Sequence, residues 1–358
     1  MRTRSLLPYP ALLSVLAIAC GDSDAMTTMT EGDGSTATTT EGGATGTGDG
    51  ATTGGETDVD ASTSSGGETG TMELDENGCW TDLTPGERVV FSDAFTGGSE
   101  GVAFGQDGRL YVSSDERVWQ LSADGARVEL AAVPTAIGVA RRGSGLVVAS
   151  LGESFEVDVI DGGVYFVDGG VTEQLTASIA SPNFVTITPS GDALVSDDFD
   201  TRVFRVTPSG EVSEALSAVP SPNGMAYSPD GAALFVASTF TPDGQLTKYD
   251  VDADGLPIET SAREILQLGP ATTPDGIAVD ENGMVYVAAN IRGELWRVDG
   301  AAETLQPGEL FAEQLGYPAS LAFGDGEGFD RCSVYVTQLM EPVVWRVFVG
   351  AQGAPLYD

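Results

Sequence analysis

One short pattern recurs six times along the chain from Ser99 onward. Its clearest copy, SPNGMAYSPDGAALFVAST at residues 221–239, has a tight turn at Pro222-Asn223-Gly224, an alternating apolar stretch, a second turn around Asp230-Gly231 and an apolar run. Two short strands joined by a Gly-containing turn are typical of a β-hairpin. The other copies are SEGVAFGQDGRLYVSS, AIGVARRGSGLVVAS, SPNFVTITPSGDALVSD, TPDGIAVDENGMVYVAAN and YPASLAFGDGEGFDRCSVYVTQ.

The spacing of the copies predicts the fold. The residues that lead into the first strand of each copy, here called the hairpin-leading residues, are 37, 46, 40, 52 and 44 positions apart: Glu100, Ile137, Asn183, Asn223, Asp275 and Ala319. This period is the size of a β-propeller blade. Two further strand signals lie between consecutive copies, for example at residues 245–249 and 263–267, which gives four strands per blade. We therefore predict an all-β, six-bladed β-propeller.

The N-terminal region resembles an export signal followed by a spacer. Two arginines precede an apolar run at residues 11–19 and then Cys20, an arrangement similar to a bacterial lipoprotein cleavage site. We expect residues 1–20 to comprise a lipoprotein signal peptide and its cleavage-site cysteine, so that Cys20 becomes the lipid-bearing first residue of the mature protein. The lipid then anchors an exported protein to the cell envelope, since no segment is long enough to span a bilayer. Residues 21–76 hold thirteen Asp or Glu and no Lys or Arg, which predicts a disordered tether.

The two ends of the remaining domain, residues 79–358, complete each other. A strand signal at residues 88–92 belongs to no earlier blade, whereas the last blade ends at residues 343–348 without a fourth strand. The N-terminal strand is therefore predicted to close the last blade, which removes an open sheet edge. Closure places Cys79 near Cys332, and because an exported compartment favours oxidation we expect a disulfide there and not two free thiols.

The charge of this domain limits its partners. It carries 14 basic and 41 acidic residues, a formal net charge of −27. The resulting field repels nucleic acid and anionic lipid headgroups. We expect a monomer that binds a small molecule and contacts the membrane only through its lipid anchor.

The hairpin-leading residues are candidates for a metal site, because the first strands of propeller blades line the central channel. Four of them offer oxygen atoms: Glu100, Asn183, Asn223 and Asp275. Two carboxylates and two amide carbonyls suit a hard divalent ion, Ca²⁺ first and Mg²⁺ or Mn²⁺ next. Zn²⁺ is disfavoured because the chain has no His and its cysteines lie elsewhere. Asn and Asp before Gly are also ordinary turn residues, so a purely conformational role stays open.

The second strands are expected to end near the same channel mouth. The residues there are candidates for contacts to a substrate, and they are Asp198, Phe199, Phe240, Asn290, Arg292 and Gln338.

Several motifs are similar to those of a known family. Glu100-Gly101 before a strand, SPNGMAYSPDG from Ser221 and PDGIAVDENG from Pro274 resemble the gluconolactonase and senescence-marker-protein (regucalcin-like) family, which is related to the paraoxonases and diisopropylfluorophosphatases. The resemblance implies a six-bladed propeller that binds a divalent metal at the channel mouth and hydrolyses lactones or related esters. Transferred by position, it implies the same four metal ligands. The family often has Asn-Asp where this chain has Asn183-Phe184. Because of this difference, the resemblance does not identify the substrate.

Two classes of function remain open. The first is a metal-dependent lactonase or esterase in which Asp275 is the general base or nucleophile, since a chain without His has no His-based proton relay. The second is a non-catalytic, surface-tethered propeller that binds a ligand or partner and uses its metal structurally. Propellers host both kinds of function, so the fold alone does not decide between them.

Overall fold

The computed structural model describes residues 73–152 and 159–358. The predicted signal peptide, Cys20 and the tether up to residue 72 lie outside the described residues. Residues 73–76, the end of the predicted tether, take part in a turn in which Asp75 Oδ1 accepts hydrogen bonds from Asn77 N at 2.8 Å and from Cys79 N at 2.9 Å. In the described part of the chain, no helix is both long and apolar enough to cross a membrane.

In the described residues, twenty-four strands form six four-stranded antiparallel sheets, so the predicted all-β, six-bladed propeller is confirmed. Blades 1 to 3 contain β2 (Val102–Phe104), β3 (Leu110–Ser114), β4 (Arg117–Leu121) and β5 (Arg127–Ala132); β6 (Ala136–Arg142), β7 (Gly145–Ser150), β8 (Gly163–Asp168) and β9 (Val171–Thr176); and β10 (Pro182–Ile187), β11 (Ala193–Asp197), β12 (Val203–Val206) and β13 (Val212–Leu216).

Blades 4 to 6 follow the same order, with a short 3₁₀ helix (Glu259–Ser261) before the last strand of blade 4. They contain β14 (Pro222–Tyr227), β15 (Ala233–Ser238), β16 (Gln245–Asp250) and β17 (Arg263–Gln267); β18 (Pro274–Val279), β19 (Met284–Ala289), β20 (Glu294–Asp299) and β21 (Glu309–Ala312); and β22 (Pro318–Phe323), β23 (Ser333–Gln338), β24 (Val344–Phe348) and β1 (Arg88–Ser92).

The sixth blade combines segments from both ends of the described chain. β1 pairs antiparallel with β24, with Arg88 opposite Val347. The predicted disulfide is confirmed: Cys79 and Cys332 are bonded, with their Cα atoms 5.3 Å apart, and both pack against Phe348 of β24. The segment before β1 is therefore held to this blade by a covalent bond as well as by strand pairing.

Within the part of the chain that the structure describes, six hydrophobic clusters lie between neighbouring blades. Val147 of blade 2 and Val195 of blade 3, for example, belong to the same cluster. Blades 6 and 1 meet through Tyr335 and Phe104, whose ring centroids are 5.4 Å apart at an interplanar angle of 72°. Because each blade is covered on both faces, second strands such as β7, β15 and β23 are buried along their whole length. This accounts for their uninterrupted apolar runs.

The first strands begin with an irregularity and not with the predicted tight turn. Pro222, Asn223 and Gly224 belong to β14, whose pairing register shifts between Pro222 and Met225. The same shift occurs at the start of β6, β10, β18 and β22. A β-bulge adds a residue to one strand and redirects its side chains. The hairpin-leading residues of these five blades lie within such a shift, and Glu100 lies just before β2.

Candidate functional site

Backbone contacts between neighbouring blades bring the hairpin-leading residues together. At four blade junctions, a glycine next to one of these residues approaches the next blade so closely that an added Cβ would collide with a carbonyl oxygen. The glycine–carbonyl pairs are Gly101–Ile137, Gly138–Asn183, Gly224–Asp275 and Gly276–Ala319. None of these glycines has a positive φ. They are needed for close approach, which corrects the interpretation of Asn-Gly and Asp-Gly here as turns.

Hydroxyl groups of the second strands join the blades at the same level. Ser113 Oγ accepts a hydrogen bond from Gly101 N at 2.7 Å and donates one to the carbonyl oxygen of Ile137. Thr337 Oγ1 donates to the carbonyl oxygen of Glu100. These residues were not predicted from the sequence, although each directly follows a Tyr-Val pair in its copy of the repeat.

Three carboxyl groups lie close enough for their charges to interact and are here called the carboxyl cluster: Glu100, Asp198 and Asp275. Asp198 and Asp275 are only 5% and 7% exposed. Burial raises the pKa of Glu100 to about 7. Burial and the charge of Glu100 raise the pKa of Asp198 to about 8. Burial, then the charges of Glu100 and Asp198, raise the pKa of Asp275 well above its usual range. The three groups therefore repel one another when ionised.

Amide side chains hold the two aspartates. Asn290 Nδ2 donates to Asp275 Oδ2 at 3.2 Å, and Asn183 Nδ2 donates to Asp198 Oδ2 at 3.3 Å. Asn223 forms a side-chain hydrogen bond with Asp275. Its own Oδ1 is buried and accepts no hydrogen bond in the described chain, and the residue is 2% exposed. A buried oxygen without a donor is costly, unless a bound group satisfies it.

The four predicted ligands occupy equivalent positions on blades 1, 3, 4 and 5. The charge of Glu100 raises the pKa of Asp275, and Asn223 forms a hydrogen bond with Asp275. Asn183 is linked to the carboxyl cluster through its hydrogen bond to Asp198. Within residues 73–152 and 159–358, no group of three or more His, Cys, Asp or Glu side chains is arranged to hold a metal. The predicted ligand set is not a group of this type, because two of its four members are amides and only two are carboxylates. The unpartnered Oδ1 of Asn223 fits a hard cation.

Five of the six predicted substrate contacts lie around this site. Asp198 belongs to the carboxyl cluster and Asn290 binds Asp275. Phe199 and Phe240 stack, with ring centroids 5.7 Å apart and an interplanar angle of 19°. Gln338 is fully buried. Its main-chain carbonyl oxygen accepts a hydrogen bond from the backbone N–H of Ser99, the neighbour of Glu100.

Arg292 is placed differently. It is exposed, and its Nη2 donates to the carbonyl oxygen of Pro270 at 3.0 Å. The structure therefore does not bring Arg292 into the carboxyl cluster.

The opposite end of the channel has a different character. A cavity of about 560 Å³ is lined there by largely apolar residues of all six first strands and by residues 352–357. These C-terminal residues are held by a hydrogen bond from Ala354 N to the carbonyl oxygen of Val279 at 2.9 Å and by the Arg141 Nε to Asp358 Oδ1 ion pair at 2.6 Å. The polar site and the apolar cavity thus lie at different levels of the channel.

A family model matches most of the propeller. The match runs over residues 99–339, more than half of the chain, and the model describes the SMP-30/Gluconolactonase/LRE-like region. The chain belongs to this family. The resemblance noted from Glu100-Gly101 and the repeated motifs is confirmed.

Two curated relatives carry related names. The SMP-30/gluconolactonase chain described here is 26% identical over 204 residues to a gluconolactonase of Zymomonas mobilis, covering 54% of this chain and 49% of that protein. It is 30% identical over 119 residues to a 6-deoxy-6-sulfogluconolactonase of Pseudomonas putida, covering 33% and 38%. The chain therefore spans about half the length, or less, of the curated relatives it matches.

Solved structures share the fold. A gluconolactonase from Xanthomonas campestris superposes with a TM-score of 0.59 at 20% identity, covering 73% of this chain and 89% of that chain. A calcium-binding protein, regucalcin, from Agrobacterium tumefaciens superposes with a TM-score of 0.61 at 20% identity, covering 75% and 96%. At this identity the likeness shows the propeller architecture of the SMP-30/gluconolactonase family.

Proposed function

We propose that this protein is a divalent-metal-dependent hydrolase of lactones or related esters, with the metal held at the channel mouth by Glu100, Asn183, Asn223 and Asp275. The observation that carries the proposal is the buried, unpartnered Oδ1 of Asn223 beside two carboxyl groups that repel each other. A cation satisfies the oxygen and offsets the repulsion. Ca²⁺ is the first choice, because it accepts carboxylate and amide oxygens in flexible geometry, and Mg²⁺ or Mn²⁺ follow.

The substrate class rests on the family. Relatives named as a gluconolactonase and a sulfogluconolactonase match parts of this chain. The net negative charge favours a small molecule over nucleic acid as the partner.

The proposed chemistry is hydrolysis of a cyclic ester. The metal, when bound, polarises the ester carbonyl. Asp275 takes a proton from the water molecule whose oxygen attacks the carbonyl carbon. The ring C–O bond then breaks, and the proton is returned to the departing ring oxygen, which gives the hydroxy acid. Asn290 positions Asp275 for this step by holding its Oδ2.

The decisive experiment combines metal removal with a panel of lactones. The purified protein is stripped with a chelator, reloaded with Ca²⁺, Mg²⁺ or Mn²⁺, and assayed for hydrolysis, while calorimetry follows metal binding. We expect turnover to vanish on chelation and to return with one of these ions. Tight metal binding without hydrolysis of any lactone or aryl ester would instead support the non-catalytic binding propeller.

We also propose that the protein is exported as a monomer and held to the cell envelope by lipid on Cys20. The basis is the sequence before residue 73, with its apolar run directly before Cys20. Cys20→Ser should release the protein from the membrane fraction without changing the melting temperature of the propeller. A Cys20→Ser protein that stays in the membrane fraction would contradict the anchor, and light scattering of the released protein measures the oligomeric state.

A further inference from the structure

The loops that follow the second strands carry a recurring apolar position. In blades 2 to 6 the second strand ends opposite the start of the first strand, as Ser238 pairs with Pro222 and Ala289 pairs with Pro274. The residue two positions beyond the end of the strand is apolar on four consecutive blades. These residues, here called the apolar arc, are Phe199, Phe240, Ile291 and Met340.

The remaining two blades differ at this position. They carry Glu116 and Gly152. The apolar side chains are therefore grouped on one side of the channel mouth, over blades 3 to 6.

Hydrogen bonds fix the backbone of the arc beside the carboxyl cluster. Phe240 N donates to Ser221 Oγ at 3.0 Å, and Ile291 N donates to Thr273 Oγ1 at 3.2 Å. Ser221 Oγ also donates to Asp198 Oδ1 at 3.0 Å. One hydroxyl thus ties Phe240 to a member of the carboxyl cluster.

The two aromatic residues of the arc stack on each other. Phe199 directly follows Asp198 in the chain, and its ring stacks on that of Phe240. Both residues keep part of their surface exposed, and Met340 is 39% exposed. Ligand sites typically combine these two features: a few polar groups fix the orientation of the ligand, and apolar side chains supply most of the contact area.

The charges around the carboxyl cluster limit which substituents can bind at the apolar arc. The charges that raise the pKa of Asp198 are those of Glu100 and Asp197, and the charges that raise the pKa of Asp275 are those of Glu100 and Asp198. Arg292, on the loop that carries Ile291, is bonded to the carbonyl oxygen of Pro270. The negative field of these carboxyl groups therefore disfavours an anionic substituent beside them.

We propose that the apolar arc binds an alkyl or aryl substituent of the substrate, so that the preferred substrates are lipophilic lactones or esters and not polyhydroxylated ones. This rests on the proposed function. Hydroxyl groups held against the arc lose their hydrogen bonds to water without replacement. Alkyl carbons gain instead, by about fourfold in affinity for each buried methylene group.

Three lactones with the same six-membered ring test the proposal: δ-valerolactone without a substituent, δ-decalactone with a pentyl chain, and glucono-δ-lactone with hydroxyl groups. We expect kcat/KM for δ-decalactone to exceed that for δ-valerolactone by at least about 10-fold. Phe240→Ala should reduce this ratio about 10-fold, whereas Phe240→Leu, which keeps an apolar side chain, should retain most of it. Val171→Ala is the matched control, because Val171 is 71% exposed on the outer strand β9.

A binding measurement adds a readout that does not depend on turnover. Calorimetry with 2-pentylcyclohexanone, a ketone without a bond to hydrolyse, should show binding that Phe240→Ala weakens and Val171→Ala does not. Faster hydrolysis of glucono-δ-lactone than of δ-decalactone, or an unchanged ratio in Phe240→Ala, would overturn the assignment of the arc and leave the lactonase proposal standing. Hydrolysis of none of the lactones would reject the lactonase proposal, and ketone binding then decides the role of the arc alone.

Discussion

Asn290 donates from Nδ2 to Oδ2 of Asp275 at 3.2 Å, and the same nitrogen donates to the carbonyl oxygen of Pro318 at 3.0 Å. The two bonds tie a carboxyl group of blade 5 to the first strand of blade 6. Asp275 is also hydrogen-bonded to Asn223 of blade 4. Three blades thus meet at one carboxyl group, and the mechanism proposed above assigns it two separate roles.

Asp275→Asn separates those roles. As a ligand, Asp275 supplies one of two formal negative charges, so the variant should bind metal more weakly while keeping an oxygen in place. At saturating metal we still expect lactone turnover to fall, because an amide cannot accept a proton at neutral pH, and positioned bases typically contribute about 10² to 10⁴-fold. Steady-state kinetics at metal concentrations set from calorimetry measure the loss.

Asn223→Asp is the matched control for this experiment, since it adds a charge at the neighbouring position and leaves Asp275 intact. It should hold metal at least as tightly as the parent. If metal-saturated Asp275→Asn hydrolyses lactones as fast as the parent protein, Asp275 is a ligand only and another group removes the proton.

Metal binding should stabilise the propeller. The carboxyl groups of Glu100, Asp198 and Asp275 repel one another in a buried region, and a cation offsets that repulsion. At a free ion concentration of 100 Kd, binding adds about 2.7 kcal/mol to the free energy of unfolding, and each kcal/mol raises Tm by roughly 2–4 °C in domains of 150–250 residues. Calorimetric melting with chelator and with Ca²⁺ measures the difference.

Glu100→Gln provides the comparison for melting. It removes one charge from the carboxyl cluster, so the chelated variant should melt higher than the chelated parent and gain less from Ca²⁺. Identical melting of the parent protein with and without divalent ions would argue against a metal at this position.

The blades were predictable because their signals are local. The Asp-Gly turn that joins the strands of a hairpin, as at Asp230-Gly231, is determined by a few adjacent residues. The role of Gly224 was misassigned because its constraint is the carbonyl oxygen of Asp275 on the next blade, far away in sequence. No local pattern distinguishes a glycine needed for a turn from one needed for close approach of two strands.

The convergence of the hairpin-leading residues was predictable, whereas their contacts with neighbouring side chains were not. Equivalent positions in a repeat must converge in a propeller, which is why Glu100 and Asp275 were found together. The membership of Asp198 in the cluster depends on contacts with Asn183 of its own blade and Ser221 of the next. Such contacts depend on how second-strand loops meet neighbouring blades, and the repeat spacing carries no information about them.

The disulfide should contribute substantially to stability. Cys79 and Cys332 are 253 residues apart in sequence, so the bond constrains most of the unfolded domain. We expect the double variant Cys79→Ser/Cys332→Ser to lose about 2–5 kcal/mol of free energy of unfolding, measured by urea denaturation. Loss of less than about 0.5 kcal/mol would show that pairing of β1 with β24 alone holds this end of the domain.

Gly224→Ala tests whether close packing at the channel mouth determines both stability and metal affinity. A Cβ at this position would collide with the backbone of Asp275 and Gly276, and overpacking of this kind typically costs about 1–3 kcal/mol. Because the obstacle is the backbone of a proposed ligand, the same variant should weaken Ca²⁺ binding in calorimetry.

Gly97→Ala is the control for this variant. A Cβ there would lie 3.6 Å from Asp115 Oδ1, an ordinary contact, and Gly97 has no positive φ. Since alanine also restricts the unfolded chain, Gly97→Ala should be neutral or slightly stabilising. The contrary result is that Gly224→Ala melts like Gly97→Ala and also binds Ca²⁺ as tightly as the parent protein. In that case neighbouring blades separate at the channel mouth without cost, and close packing at these glycines does not hold the hairpin-leading residues together.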